Sequence, residues 1–315
     1  MSADQALRKL SLDPALYPGG VGIWGSLDPI YDTTSLPREH GVHVHARKVE
    51  RRKKSIDESF DEVEVLLPSG ASVTIREAEA TPYVGAAVLE LPLDDLQCPY
   101  CSQPHLDESH FSVHPHQRHQ CQACGGEFLL GNRAIGNPII RAKRELGDAQ
   151  LTRQTIPGKK LVRLDQAADH CSGGVRIWGS NPAILWTAQR HEEAGIHVHA
   201  YRKGVVLPTV DNTFQSVEID GVVLSATMVR LFMIQRTLSH LQASVAHVKC
   251  ATCGVSHLDQ MAPFAVEPHR NHDCHTCGRV TTTPNAVVSN PIVEILPMLY
   301  AQASLAGLER NPSSR

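Results

Sequence analysis

The sequence predicts an α+β protein made by tandem duplication of a small mixed antiparallel-sheet module, each copy ending in a cluster of four cysteines. Three observations carry this. Gly19–Ser26 (GGVGIWGS) returns as Gly173–Ser180 (GGVRIWGS), and Gly41–Ala46 (GVHVHA) returns as Gly195–Ala200 (GIHVHA). The Cys98–Gly125 cluster returns as Cys250–Gly278. At 315 residues the chain has room for about two ordinary domains, and the repeat offset of about 152 to 154 residues divides it accordingly. The expected organisation is a first module over residues 1–145, a linker over 146–172 and a second module over 173–315, with cysteine clusters at 98–125 and 250–278.

Within the second copy the elements begin with a strand through Val175–Trp178. A helix is expected from Asn181, with Pro182 as its first helical residue and Gly195 at its end. Pro29 and Pro37 make the matching stretch of the first copy irregular. The HVHA segment reads as a strand, and Phe60–Leu67 and Phe214–Ile219 alternate as half-buried strands. Pro68-Ser69-Gly70 and Asp220-Gly221 are turn sequences leading into further strands. Arg141–Ser172 alternates in charge and contains Pro157-Gly158, which predicts a short solvated helix and then an exposed linker. The tails Gly136–Ile139 and Ser289–Ile292 are expected to fold back on their own modules, and Asn311–Arg315 to fray.

A composition of 42% hydrophobic and 20% charged residues is that of a globular protein able to bury a core. The net charge of -3 gives no global attraction to nucleic acid or anionic membrane. One dense basic run exists: Arg47, Lys48, Arg51, Arg52, Lys53 and Lys54. Glu50, Asp57, Glu58, Asp61 and Glu62 balance it, so a solvated loop is favoured over a phosphate-binding surface. The first 18 residues lack a basic start followed by an apolar run, and Arg230 interrupts the longest apolar stretch, Val222–Ile234. A cytoplasmic protein is therefore expected. In that reducing compartment eight of the nine cysteines, arranged as four CxxC pairs, read as metal ligands, and Cys171 reads as a buried thiol. Phosphate-binding loops, nucleophile elbows and dinucleotide fingerprints are absent from the sequence.

The cysteine clusters have the spacing of paired metal knuckles. Cys98-x2-Cys101 is followed after nineteen residues by Cys121-x2-Cys124, and Cys250-x2-Cys253 after twenty by Cys274-x2-Cys277. Each CxxC turn aims two sulfurs at one point, and zinc favours four such ligands in a tetrahedron. Over about thirty residues per copy the segment resembles the zinc-ribbon group of folds, which implies structural zinc, about two ions per chain. Cys98-Pro99-Tyr100-Cys101 also looks like the active-site motif of glutaredoxins. Ala251-Thr252 in the second copy, the lack of a preceding βαβ pattern and the second CxxC at ribbon distance all oppose that reading.

Several histidines are surplus to a four-thiolate shell: His105 and Asp107 (HLD), His116 and His119 (PHxxH), and in the second copy His257, Asp259, His269 and His272. A mixed shell of Cys98, Cys101, His116 and His119 would strand Cys121 and Cys124, so the all-thiolate shell is preferred. The surplus groups read as hydrogen-bonded supports, with Asp107 and Asp259 capping turns, or as a second metal site.

Alternate residues of a strand share a face, so His43 with His45, and His197 with His199, can chelate one ion each, with Asp57 and Asp211 as the best third ligands. Glu50 would give a cupin-like set in the first copy, but Gly204 stands in its place in the second. The HxH pair is also similar to the first motif of amidohydrolases, whose further motifs are missing. A strand whose histidines hydrogen-bond across the sheet explains the pair equally well.

The functional expectation is an intracellular zinc-binding module for macromolecular recognition, with a protein partner slightly favoured over nucleic acid and no membrane association. The competing expectation is a metal-dependent enzyme, such as a hydrolase, in which His43, His45 and Asp57, and His197, His199 and Asp211, hold two further ions that activate water. His116 or His119 would then shuttle protons.

Overall fold

In the computed structural model the described residues are 8–25, 28–37, 41–49, 54–146, 155–180, 183–188 and 192–308. About 21% of the described residues are helix and 39% strand, in several small sheets. The first half contributes β1 (Lys9–Leu12), β2 (Val21–Gly25), β3 (Tyr31–Asp32), β4 (Val42–Ala46), β5 (Ile56–Phe60), β6 (Glu62–Leu66) and β7 (Ser72–Arg76). These are followed by α1 (Glu77–Val88), β8 (Leu93–Asp94), β9 (His116–Gln120), β10 (Glu127–Gly136) and α2 (Ile139–Leu146). The second half contributes β11 (Thr155–Pro157), β12 (Lys159–Leu164), β13 (Gly174–Ser180), β14 (Leu185–Trp186), β15 (Glu192–Tyr201), β16 (Val210–Ile219) and β17 (Val222–Ser225). Then come α3 (Ala226–Thr237), β18 (Val245–Ala246), β19 (His269–Asp273), β20 (Val280–Ser289) and α4 (Ile292–Leu305).

The chain divides into two compact units, and each contains one short segment from the opposite half of the sequence. The first comprises Met1–Leu27, Glu39–Thr155 and Asn181–Glu192; the second comprises Asp28–Arg38, Ile156–Ser180 and Glu193–Arg315.

In the first unit the strands form three sheets, ordered β14-β2-β4-β5, β1-β6-β7 and β8-β10-β9. Alternation decides which side chains face the core. In β4, Val42, Val44 and Ala46 are fully buried while His43 and His45 lie half-buried on the other face. Val21, Ile23, Val63, Val65 and Ile75 complete the apolar layer, closed by Tyr83 and Val84 of α1 and Ile139 of α2. Each such side chain contributes about 1.5–3 kcal/mol on burial. Asn137 Oδ1 accepts the Ile139 N–H at 3.1 Å and Asn137 Nδ2 donates to Glu79 O at 3.0 Å, which ties the tail back to its unit.

The second unit holds a seven-stranded sheet, ordered β12-β16-β15-β13-β3, with β11 beside β15 and β17 beside β16, and a smaller sheet β18-β20-β19. Ile196, Val198 and Ala200 of β15 are fully buried and leave His197 and His199 on the opposite face. Asp220 and Gly221, both at positive φ, make the tight turn from β16 to β17. Both units include parallel pairs, β1 with β6 and β12 with β16 among them, so the sheets are mixed.

Two expectations are corrected. The helix proposed from Asn181 to Gly195 is not formed by the described residues of that stretch. Leu185 and Trp186 pair with Ile23 and Gly22 of β2, and β15 already begins at Glu192. Full burial of Ile184 and Leu185 outweighs the capping signal. Gly195 serves close approach instead of ending a helix, since a Cβ there would stand 2.2 Å from Phe214 O. The exposed linker is likewise interrupted, because β12 runs parallel to β16 from Lys159 to Leu164. The short helix before it is present as α2. Ser26, Glu50, Arg51, Arg52, Lys53, Asn181, Pro182 and Asn311–Arg315 lie outside the described residues.

Candidate metal centres

The eight CxxC cysteines converge in two groups of four. Cys98, Cys101, Cys121 and Cys124 place their sulfurs within 4.8 Å of one another, as do Cys250, Cys253, Cys274 and Cys277. The closest Sγ–Sγ approaches, Cys98 to Cys124, Cys101 to Cys121, Cys250 to Cys277 and Cys253 to Cys274, are all 3.6 Å. Sulfurs at about 2.3 Å from a tetrahedral zinc stand about 3.8 Å apart, so the donor set fits that ion in number, chemistry and spacing. Each knuckle closes through backbone bonds such as Ser102 N to Cys98 O at 2.8 Å and Gly125 N to Cys121 O at 2.8 Å. Gly125 and Gly278 take the positive φ these turns require. Burial acts to raise the Cys98 thiol, but the N–H groups of Tyr100 and Cys101 and the neighbouring sulfurs bring it down to about 7. The N–H groups of Cys253 and Thr252 bring Cys250 down to about 6. In each group a second thiol is displaced the other way: the Gln103 N–H acts to lower Cys101 and the Val255 N–H to lower Cys253, but burial and the neighbouring sulfurs push both up to about 12, so a cation that binds all four sulfurs must displace protons.

The HLD and PHxxH segments meet beside each cysteine group. Asp107 is 5% exposed and is approached by His105 Nε2 at 2.8 Å, His116 Nε2 at 3.3 Å and His119 Nδ1 at 3.2 Å; the Gly136 N–H donates to it at 2.6 Å. Asp259 repeats the pattern with His257 Nε2 at 2.7 Å, His269 Nε2 at 3.3 Å, His272 Nδ1 at 3.3 Å and Ser289 N at 2.6 Å. Burial acts to raise the Asp107 carboxyl, but His105 and the Gly136 N–H hold it below the usual range. Burial pushes His119 and His272 down. Three imidazoles about one carboxylate form a clasp joining the CxxC turn to β9 and β10, and His105, Asp107 and His119 also have the spacing of a metal-ligand set. The expected turn-capping role of Asp107 and Asp259 is thereby corrected to that of acceptors at the centre of three imidazoles.

A third kind of group lies on the outer face of β4 and β5, and again on β15 and β16. Register places His43 opposite Ser59 and His45 opposite Asp57, and in the second unit His197 opposite Thr213 and His199 opposite Asp211. His43 Nε2 and His45 Nε2 lie 2.9 Å apart, with Asp57 Oδ1 at 3.5 and 3.0 Å from them. His197 Nε2 and His199 Nε2 also lie 2.9 Å apart, with Asp211 Oδ1 at 3.5 and 3.3 Å. Trp24 sets its ring edge against His45, and Trp178 against His199. Partial burial acts to raise the Asp57 carboxyl, but His43, His45 and Lys54 hold it well below the usual range. Burial pushes His45 down to about 4.

The structure therefore unites each predicted set of ligands: the cysteines with one another, His43 and His45 with Asp57, and His197 and His199 with Asp211. It places His116 and His119 against Asp107. One feature escaped the sequence reading. A shallow groove beside the first cysteine group is lined by Phe111, His114, Arg118, Leu129 and Arg133, with Phe111 53% and Leu129 72% exposed. An apolar residue facing outward among basic ones gives no periodic signal. Among the described residues no helix is long and apolar enough to cross a membrane. No protein-family model, curated protein or solved structure matches the chain.

Proposed function

We propose that the chain is a duplicated, zinc-stabilised recognition module of the cytoplasm that uses the surface beside its cysteine clusters to bind a protein partner. The single observation that carries this reading is the groove around Phe111 and Leu129. Exposed Phe111 and Leu129 line one groove together with Arg118, Arg133 and His114, and apolar contact area beside basic donors supplies the ingredients of an interaction hot spot. The four-sulfur groups support a structural ion of zinc type, because no coordination position is left open once four thiolates have closed the shell. The HLD and PHxxH clasps would then stiffen the hairpin that presents the groove.

The reading is tested with a photo-crosslinking residue at position 111. A specific protein should be captured, and its purified form should bind the parent chain at least tenfold more tightly than Phe111→Ala or Leu129→Ala. A complex with nucleic acid that weakens steeply with salt and depends on Arg118 and Arg133 would replace the protein partner. Absence of both would remove the reading. The convergence of His43, His45 and Asp57 supports a second reading, a metal-dependent hydrolase, which requires metal-dependent turnover that His43→Ala abolishes.

A further inference from the structure

We propose that each HxH–Asp group, His43 with His45 and Asp57 and His197 with His199 and Asp211, binds one divalent first-row transition-metal ion with coordination positions open to solvent, and that Lys54 is a tethered competitor for the first.

The donor atoms have the right spacing. The point equidistant from the three donors lies about 1.8–1.9 Å from each in their plane, so an ion at the usual 2.0–2.2 Å sits just above that plane. Three ligands thus occupy one face of the ion. The side chains of His43, His45 and Asp57 are 28%, 20% and 52% exposed, so the opposite face is accessible to water or to an oxygen ligand.

Three of the four outer ring nitrogens are already engaged. His43 Nδ1 lies 3.0 Å from Ser59 Oγ, His197 Nδ1 lies 3.3 Å from Thr213 Oγ1, and His199 Nδ1 lies 3.0 Å from the Tyr201 hydroxyl. An imidazole that donates its Nδ1–H to such an oxygen presents a lone pair at Nε2, the arrangement found behind most metal-bound histidines. Where both Nε2 atoms carry lone pairs, 2.9 Å apart beside a carboxylate, they repel one another, and a shared cation would remove the repulsion.

Lys54 shows that the first group attracts a cation. Its ammonium stands 3.0 Å from His45 Nε2 and 2.9 Å from Asp57 Oδ2. An ammonium has no acceptor, so in this contact His45 Nε2 must accept. Lys54 precedes Asp57 by three residues; Pro208 holds the same place before Asp211, so this competitor is not repeated in the sequence. Imidazole nitrogen with a single carboxylate suits nickel, copper, zinc, cobalt or iron better than calcium or magnesium, which prefer all-oxygen sites. The buried Val44 and Val198 between the histidines, and the Trp24 and Trp178 rings beside them, hold the pairs on rigid strands.

The test uses the full-length, tag-free chain with its cysteine groups loaded with zinc. Nickel is titrated calorimetrically, and bound nickel and zinc are counted by elemental analysis. Two nickel ions per chain are expected in addition to the retained zinc. His43→Ala and His197→Ala should each remove one nickel without loss of zinc; Asp57→Asn and Asp211→Asn serve the same purpose should an alanine variant fail to fold. In the His197→Ala background, Lys54→Ala should tighten the remaining site about tenfold or more, and an unchanged affinity would overturn the competitor role. Failure to bind nickel beyond the zinc, nickel that merely displaces zinc, or nickel binding that survives the paired substitutions would overturn the metal sites. The partner-binding reading stands or falls separately, on Phe111 and Leu129.

Discussion

Arg176 Nε donates to Asp32 Oδ2 at 3.1 Å, and the two residues are 5% and 0% exposed. The guanidinium also donates to Pro37 O at 3.0 Å, while Asp32 Oδ1 accepts from the Thr34 N–H and hydroxyl at 2.8 Å each. Removing one member of such a buried pair leaves the other charge uncompensated. Asp32→Ala should therefore cost about 3–5 kcal/mol in urea unfolding. The double variant Asp32→Leu/Arg176→Met should cost less than the sum of the single changes. Additive losses would show that the pair is not coupled.

The cysteine groups make a prediction about metal removal. Cys101→Ser should lower bound zinc by one ion per chain, as should Cys253→Ser, and each should lower stability by about 3 kcal/mol through loss of a structural ion. A strong chelator should abolish the protection of β9, β10, β19 and β20 in hydrogen exchange. Cobalt in place of zinc should give the intense visible absorption of a tetrahedral thiolate site. Unchanged zinc content after either substitution would exclude the four-sulfur shell.

Cys171 is fully buried, and burial first, then Asp165 and Asp220, pushes its thiol up to about 12 from an ordinary value of 9.0. The folded state thus retains a proton that the unfolded state loses above pH 9. Its contribution to stability is fully present below pH 9 and declines as pH rises from 9 towards 12. Cys171→Ala should remove that part of the alkaline slope while leaving zinc content unchanged. The comparison is a pair of urea titrations at pH 7 and pH 10. Equal alkaline losses in parent and variant would show that the thiol does not titrate in this way.

The metal-ligand sets were legible because their signals are local: CxxC fixes two sulfurs on one turn, and HxH on a strand fixes two imidazoles on one face. Asp57 and Asp211 stand out in the sequence by their matching places before Phe60 and Phe214, and the alternation of Val42, Val44 and Ala46 fixes the face. Less was legible where distant segments decide the outcome. The capping pattern at Asn181 suggests a helix, but Leu185 is spent on pairing with Ile23, and only tertiary burial reveals that. α1 and α4 were hidden by Pro82 and Pro297 within them and by apolar residues on several sides, which blur helical periodicity. The Asp107 clasp joins residues from a turn, β9 and β10, and spacing alone could not say which nitrogen meets which oxygen.

That clasp yields the last prediction. Asp107 accepts from the Gly136 N–H and is met by three imidazoles, so Asp107→Ala leaves several buried donors without an acceptor at once. Each unsatisfied buried group costs about 1–3 kcal/mol, and relaxation recovers part of the sum, so a loss of about 3 kcal/mol in urea unfolding is expected. Asp259→Ala should behave alike, since Ser289 and its three histidines repeat the arrangement. Zinc bound at saturation should stay at two ions per chain in both variants, because the four sulfurs are intact. A parallel loss of one zinc ion would instead make the carboxylate a ligand, and an unchanged unfolding midpoint would show that the clasp adds nothing to the fold.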